Sequence, residues 1–275
     1  MGCPVLATAN AKIVLTSFYP IYISTLNVTQ NIAGVTVKNL TKPQTGCLHD
    51  YQLTPQDLKS LTSADVLIVN GGGMESFIDK AVRQQPNLKI INASKNIDLI
   101  KGSGAAMDNP HVWVSIAGAI AQVKNIAAGL AEIDPSNAQS YHANATVYID
   151  KLTVLQKTLH QQLKAVSSRD IITFHEAFPY FAREFNLNII AVVEREPGSQ
   201  PSAGELRATI NIIKNKKVTA LFAEAQYPAT AAQTIARETG CPLYTLDPAV
   251  TGPDDLDAYI TIMNQNGAVL IKALK

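Results

Sequence analysis

Short runs of apolar residues recur along the chain, separated by longer stretches in which apolar residues return every three or four positions. Eight runs are rich in Val, Ile, Leu and Phe and have the length of strands, and helical periodicity fills most of the intervals between them. The runs are KIVLTSFY, VTVKNL, DVLIVN, LKIINA, DIITF, NIIAVV, VTALFAE and CPLYTLD. Because strands that alternate with helices form parallel sheets covered by helices, the pattern predicts an α/β fold.

Two of the predicted helices begin with recognisable capping residues. In LTPQDLKSL, Thr54 has the N-cap position and Pro55 lies in the first turn, where its missing N–H costs nothing. In SAGEL, Ser202 and Glu205 have the spacing of a capping box, in which each side chain bonds the other residue's backbone N–H. We therefore expect helices to start at both places.

The middle of the chain has the pattern of one long helix. Asp134 and Pro135 stand in the order of a helix cap and first turn, and neither glycine nor a further proline follows before Ser167. A helix of about 30 residues would be roughly 45 Å long, which exceeds the width of a small domain. Four strand-like runs precede this helix and four follow it, so we expect it to join two lobes.

Together these features predict an α/β fold of two similar lobes with mostly parallel sheets, joined by one long rigid interlobe helix, with a ligand cleft between the lobes. The predicted boundaries are residues 1–133 for the N-terminal lobe, 134–166 for the helix and 167–275 for the C-terminal lobe. Because a continuous helix is stiffer than a loop linker, we expect limited movement between the lobes.

Composition and charge exclude some partners. Hydrophobic residues make up 47% of the chain, charged residues 16%, and the net charge is +1, so there is no strong field for nucleic acid or an anionic membrane. No apolar run in the sequence has close to the roughly 20 residues that are needed to span a bilayer. The start of the chain also lacks the pattern of a signal peptide. We expect a soluble monomer that binds no nucleic acid.

The three cysteines leave several possibilities open. Cys3 lies in a short leader of small residues, where a bacterial lipoprotein would carry its lipid if an export signal preceded it. The alternative is an incidental free thiol. Cys47 and Cys241 lie far apart in sequence and could pair, bind metal or stay reduced, so the cysteines do not define a compartment.

Three of the five histidines lie where α/β folds collect ligands. His49, His111 and His175 each lie just beyond a strand-like run or at the head of a helix. In open α/β sheets, ligands bind outside the carboxyl ends of the strands, so these three side chains are expected to meet across the cleft. His142 and His160 lie inside the long helix among polar neighbours, which is typical of solvated surface positions.

The last strand-like run ends at Asp247, which adds a fourth group at an equivalent position. Three imidazoles and one carboxylate form a tetrahedral donor set suited to zinc. In NPHVWVS, an Asn-Pro turn restricts the backbone just before His111 and brings Trp113, the only tryptophan, close to it. Each histidine taken singly is more often structural, but four donors at strand ends together indicate a metal site.

Two further motifs do not support an enzyme or a nucleotide site. NGGGMES has two glycines at the spacing of a dinucleotide loop, but Ser76 replaces the last one, so we interpret the segment as a turn. HEAFP begins like the helix of a zinc protease, but Pro179 stands where the second histidine of that motif must be.

A series of motifs extends along nearly the whole chain. In order, the segments are SFYPIY, HDYQLTPQDL, ADVLIVNGGGMESFIDK, NPHVW, HEAFPYFAREFNL, EPGSQPSAGEL, FAEAQY and LDP. Together they resemble the zinc- and manganese-binding solute-binding proteins of bacterial ABC importers, with NPHVW and HEAFPYF as the most diagnostic segments. The resemblance implies that His49, His111, His175 and Asp247 bind the metal. It also implies an extracytoplasmic protein, periplasmic or lipid-anchored, that delivers metal to a membrane permease.

The sequence departs from the family pattern at two places. The family's first ligand usually follows Asp-Pro, whereas here TGCLHDY precedes it, with Cys47 two residues before His49 as a further possible ligand. The alternative is that Cys47, like Cys241, is a small buried apolar residue. Many zinc-specific relatives carry a long His-rich and acidic loop before the second ligand, and this chain has only LIKGSGAAMD there.

Four residues are candidates to contact and orient the metal ligands rather than to bind the metal themselves. Glu196 and Glu224 match family positions near the site and could orient a ligand imidazole or close the cleft. Trp113 and Cys47 are the other two candidates. Glu194 is interpreted as an ordinary surface acid.

We therefore expect a protein that captures a divalent transition metal and catalyses no reaction. Zinc is favoured, with manganese as the alternative, because the resemblance places an acid at the third ligand position of manganese-specific relatives and this chain has His175 there. Two other readings remain open. One is a zinc-dependent hydrolase with the three histidines as ligands and Asp247 as base, and the other is a cleft receptor for an organic ligand such as a siderophore.

Overall fold

In the described part of the chain, eight short strands form two parallel sheets of four strands each. The structure is a computed structural model that describes residues 11–41, 48, 51–102, 108–193, 201–226 and 229–275. The first sheet consists of β1 (Lys12–Thr16), β2 (Val35–Asn39), β3 (Val66–Val69) and β4 (Lys89–Asn92). The second consists of β5 (Asp170–Thr173), β6 (Asn188–Val192), β7 (Leu221–Ala223) and β8 (Leu243–Thr245). Every strand lies within a predicted run, and the predicted α/β class is confirmed.

The two sheets have the same strand order. It is β2-β1-β3-β4 in the first sheet and β6-β5-β7-β8 in the second, and all pairs are parallel. In each sheet the chain adds a strand on one side and then crosses to the other side. A crevice forms at such a switch, outside the carboxyl ends of the strands, and this is where open α/β sheets bind ligands.

Helices cover the sheets, and both predicted capping signals are confirmed. Thr54 Oγ1 accepts from the Asp57 N–H at 3.3 Å, and Ser202 Oγ accepts from the Glu205 N–H at 3.3 Å. The helices are α1 (Tyr19–Thr29), α2 (Pro55–Ser63), α3 (Asp79–Arg83), α4 (Ile116–Ile133), α5 (Ala138–Leu163), α6 (Pro179–Phe185), α7 (Ala203–Lys216), α8 (Thr230–Thr239) and α9 (Ala258–Ala273).

The predicted interlobe helix is α5, which has 26 residues and is preceded by a single 3₁₀ turn at Pro135–Asn137. The predicted cap at Asp134 needs correction, because its carboxylate caps no backbone N–H of this helix. It instead accepts hydrogen bonds from the side chains of Ser136 and Tyr141, both at 2.8 Å. Asp134 thus fixes the junction between α4 and α5 through side chains.

Helix α4 corrects the expectation that no apolar run is long enough to cross a membrane. Among the described residues, this 18-residue helix has the length and composition for it. The same composition is found in core helices of soluble proteins. Here α4 packs against α1, α5 and β4, and its inner face contributes Val123, Ile126 and Leu130 to the largest hydrophobic cluster. Packing inside the N-terminal lobe therefore accounts for its apolar character.

The lobes share packing as well as the helix that joins them. The largest hydrophobic cluster contains Trp113 from the N-terminal half together with Phe178 and Tyr259 from the C-terminal half. The Tyr259 hydroxyl donates to the Trp113 carbonyl at 2.8 Å, and helix α9 packs on both α5 and α1. The two sheets are therefore held in one relative orientation by a continuous core close to the cleft.

Candidate metal site

His111 lies in the segment that follows β4, and Asn109 fixes its ring. Asn109 Oδ1 is 3.0 Å from the His111 backbone N and 3.1 Å from His111 Nδ1. The orientation of the amide follows from its other end, because Asn109 Nδ2 donates to the Glu176 carbonyl at 2.8 Å. Since Oδ1 only accepts, Nδ1 of the buried imidazole carries the proton, which is the tautomer in which Nε2 is the metal-binding nitrogen.

His175 follows β5 and lies at the switch point of the second sheet. Its Nδ1 is 3.5 Å from Oε1 of Glu224, which follows β7 on the other side of the switch. Both side chains are at most 2% exposed. In the described ranges the Glu224 carboxyl group accepts no hydrogen bond. Buried carboxyl groups that stay charged are paired with a cation or bind a metal.

The two histidines meet across the cleft. Their ring centroids are 5.0 Å apart with an interplanar angle of 84°, and each residue is 2% exposed. Asn109 connects the two segments, since it binds His111 and also the carbonyl of Glu176, the residue after His175. Tyr180 adds a second link, because its hydroxyl donates to the Asn109 carbonyl at 2.7 Å and accepts from the Ile100 N–H at 2.8 Å.

Asp247 follows β8 and is held from several sides. The side chain of Asn266 bonds both its backbone N–H, at 2.9 Å, and its carbonyl, at 2.7 Å. Asp247 Oδ1 accepts from the Ala249 N–H at 2.8 Å and from Gln226 Nε2 at 3.1 Å. Burial raises the pKa of the Asp247 carboxyl above its ordinary value, against the effect of these two donors.

Trp113 connects the segments that carry His111 and Asp247. Its ring centroid is 5.2 Å from that of His111, and its Nε1 donates to the carbonyl of Pro248 at 2.8 Å. The side chain is 1% exposed. Trp113 therefore connects two of the predicted ligand positions through buried contacts.

The other predicted site residues are only partly covered by the structure. His49, Cys47, Glu196 and Glu194 lie outside the described residues, as does Cys3, although the neighbouring Leu48 is fully buried. Within the described ranges, no group of three or more His, Cys, Asp or Glu side chains is close enough to hold a metal ion. The structure thus brings His111 and His175 together, and it links Asp247 to them through Pro248 and Trp113.

The residues set aside on sequence grounds lie where expected. His142 and His160 are exposed on α5. Cys241 is a free, buried cysteine whose Sγ lies 3.5 Å from the Val218 carbonyl, and burial raises the pKa of this thiol. It therefore fits the interpretation of a small buried apolar residue.

The two rejected motifs also have the expected structures. Gly71, Gly72 and Gly73 all have positive φ angles, of 83°, 66° and 89°, so NGGGMES is a glycine turn. The segment HEAFP precedes helix α6, which begins only at Pro179, so no helix carries the histidine and glutamate together.

Sequence reasoning missed several residues that shape the site. Asn109 and Gln226 hold candidate ligands directly. Asn70, fully buried after β3, donates to the carbonyl of Pro110, the residue before His111, at 2.9 Å. The place of Asn109 in the segment NPH was a usable signal, because an amide two residues before a histidine can reach its ring nitrogen.

The fold and site define a class of protein: two parallel α/β lobes, a long connecting helix, and buried imidazoles that meet between the lobes, as in solute-binding proteins. The family described as zinc-uptake complex component A, periplasmic, matches residues 14–273, and the chain belongs to this family. The resemblance to metal-binding proteins of ABC importers is therefore confirmed.

Different metals are named for individual relatives of the chain. The chain is 33% identical to the high-affinity zinc uptake system protein ZnuA of Bacillus subtilis (strain 168), over 92% of this chain and 84% of that protein. It is 29% identical to the iron-binding protein YfeA of Yersinia pestis, over 78% and 71%. The structure of the solute-binding protein FpvC from Pseudomonas aeruginosa in complex with Mn²⁺ has a TM-score of 0.87 and 29% identity, over 96% and 98%.

Proposed function

We propose that this protein captures zinc outside the cytoplasm and delivers it to the membrane permease of an ABC importer. The observation that carries the proposal is the buried pair of His111 and His175, one from each lobe, with ring centroids 5.0 Å apart. Asn109 orients the His111 ring through a hydrogen bond, and the Glu224 carboxylate lies 3.5 Å from Nδ1 of His175. Amide and carboxylate partners of this kind commonly accompany metal-binding imidazoles.

The proposed ligands are His49, His111, His175 and Asp247. Three nitrogens and one carboxylate oxygen suit the tetrahedral geometry of zinc, whereas manganese prefers six-coordinate sites rich in oxygen. The buried Glu224 carboxylate beside His175 favours a cation here. Glu196 and Cys47 remain proposed supporting residues, and Cys3 remains a proposed site of lipid attachment.

We further propose that the protein acts as a monomer and catalyses no reaction. A catalytic zinc keeps an open position for water, and four protein ligands leave none. The hydrolase and siderophore readings therefore have no specific observation in their favour.

The test is metal stoichiometry. Protein purified without a histidine tag and reloaded with zinc is expected to retain one zinc per chain after dialysis, measured by elemental analysis. His111→Ala should lose most of it, whereas His160→Ala, which changes an exposed histidine on α5, should retain it. Equal retention by both variants would remove His111 from the proposed ligand set.

A further inference from the structure

One oxygen of the Asp247 carboxylate is already occupied by the protein. Oδ1 accepts from the Ala249 N–H at 2.8 Å and from Gln226 Nε2 at 3.1 Å. A carboxylate oxygen offers about two lone-pair positions, so these two donors use the hydrogen-bonding capacity of Oδ1. Among the described residues no donor reaches Oδ2, which is therefore the oxygen open to a cation.

The Gln226 side chain is fixed in the orientation that presents its N–H groups. Its Nε2 donates to Asp247 Oδ1 and also to Thr251 Oγ1, both at 3.1 Å. The reversed amide would point Oε1 at the carboxylate, which is electrostatically unfavourable. Because Asn266 also bonds the backbone N–H and carbonyl of Asp247, the carboxylate has little freedom to turn Oδ1 toward a metal.

The number of oxygens that Asp247 can offer affects the choice between metals. A carboxylate that binds through one oxygen completes a four-coordinate site with three imidazoles, which zinc accepts. A carboxylate that binds through both oxygens raises the coordination number and the oxygen content, which manganese prefers. The donors on Oδ1 therefore bear on metal selectivity although they need not touch the metal.

We propose that Gln226 is a specificity-determining residue, which limits Asp247 to one metal–oxygen bond and so favours zinc over manganese. This inference rests on the proposed function. Ala249 donates from the backbone and is present whatever its side chain, so Gln226 is the partner that substitution can remove.

The test replaces Gln226 with methionine, which has a similar volume and no N–H donor. Gln226→Met frees one lone pair on Asp247 Oδ1, and we expect the ratio of zinc to manganese affinity to fall about tenfold, the size of one hydrogen bond to a charged group. Competition titrations with a chromophoric chelator measure the ratio. X-ray absorption of the zinc-loaded protein should show an added oxygen neighbour at the zinc of the variant.

The matched control is Gln156→Met. Gln156 Nε2 also donates to a carboxylate, Glu184 Oε1, at 2.6 Å, but it lies on α5 away from the candidate ligands. We expect this variant to keep the wild-type affinity ratio. Melting curves of the metal-free variants check folding. If Gln226→Met does not fold, Gln226→Leu carries the test, because it also removes the N–H donor to Asp247 Oδ1 and should move the ratio in the same direction.

Two outcomes separate this inference from the proposed function. If Asp247→Ala leaves zinc affinity unchanged, Asp247 is not a ligand, and both the ligand set and the role of Gln226 are overturned. If Asp247→Ala weakens zinc binding but the Gln226 variants leave the affinity ratio and the zinc coordination as in the wild type, only the role of Gln226 is overturned. An equal loss of affinity for both metals would likewise reduce Gln226 to a structural residue.

Discussion

At the scale of single residues, Asn109 does the most to organise the candidate site. One carboxamide accepts from His111 and donates to the carbonyl next to His175. The ring of one candidate ligand and the backbone of the other therefore share a single partner. Any change in the relative position of the lobes must alter one of these hydrogen bonds.

Replacement of Asn109 tests this arrangement. Asn109→Ala is expected to weaken zinc binding by about 10-fold to 100-fold, because the His111 ring loses the acceptor that fixes its tautomer and orientation. Competition with a chelator of known affinity measures the change. The control is Asn144→Ala, which removes a similar side chain that donates to the Val28 and Gln30 carbonyls on the N-terminal lobe. Unchanged zinc affinity in Asn109→Ala would contradict the proposed role.

At the scale of secondary-structure elements, helix α4 is capped from the opposite lobe. The carboxylate of Glu184, on α6, accepts from the backbone N–H groups of Ile116, at 2.7 Å, and Ala117, at 3.1 Å. A carboxylate at this position satisfies free N–H groups and also interacts favourably with the helix dipole. This single side chain therefore stabilises a helix and an interlobe contact together.

Loss of the cap should destabilise the protein without changing its metal preference. Glu184→Ala is expected to lower the free energy of unfolding by about 1–2 kcal/mol, as is usual for removal of a helix cap. Urea unfolding of the metal-free protein measures it, with Glu238→Ala as the control, because Glu238 is exposed. A change below the error of the control would show that the cap contributes little.

The glycine turn after β3 is held by a buried acid, Glu75. Its oxygens accept from the N–H groups of Asn70, at 2.6 Å, and Gly71, at 3.0 Å. Burial nevertheless dominates and raises the pKa of Glu75 from 4.5 to about 7. The folded protein thus holds this proton more tightly than the unfolded chain does.

The stability of the protein depends on pH because the pKa of Glu75 differs between the folded and the unfolded chain. The contribution of Glu75 to the free energy of unfolding is fully present below pH 4.5. It is lost as the pH rises to 7, because the Glu75 carboxyl ionises at a lower pH in the unfolded chain than in the folded protein. The loss amounts to about 3 kcal/mol from this residue. We expect the unfolding free energy of the wild type minus that of Glu75→Gln to decrease by about 3 kcal/mol as the pH is raised from 4.5 to 8. Parallel curves for the two proteins would contradict this assignment.

At the scale of the whole molecule, the two lobes are joined by packing, hydrogen bonds and a helix. Trp113 reaches the carbonyl of Pro248, and the Tyr19 hydroxyl on α1 donates to the Pro253 carbonyl, both at 2.8 Å. A metal that takes ligands from both lobes would add a further link. The metal would bind the native state far better than the unfolded chain, and its binding must therefore stabilise the fold.

Thermal unfolding with and without zinc tests the link between the lobes. Zinc at about 100 times its dissociation constant should stabilise the protein by about 2.7 kcal/mol and raise the melting temperature. His175→Ala should largely abolish the rise, whereas His142→Ala, on the exposed face of α5, should leave it intact. If both variants respond to zinc as the wild type does, His175 is not a ligand.

Much of the architecture was predictable from the sequence, because it depends on neighbours in the chain. The eight strands of the described residues all lie within the predicted apolar runs, and the caps at Thr54 and Ser202 involve partners three residues away. Placement at strand ends also indicated His111 and His175, which the structure brings together. His49, Cys47 and Glu196 lie outside the described residues and stay predictions.

The partners of the site residues were decided only by the tertiary structure. Asn109 and Glu176 are 67 positions apart, as are Glu184 and Ala117, and Trp113 and Pro248 are 135 apart. Periodicity and spacing report which face of an element is buried, and they carry no information on which distant atom will meet a given N–H or oxygen. Hydrogen bonds form only within about 3.5 Å, so the bonds of Gln226 to Asp247 and of Asn109 to Glu176 depend on distances that only the tertiary packing sets.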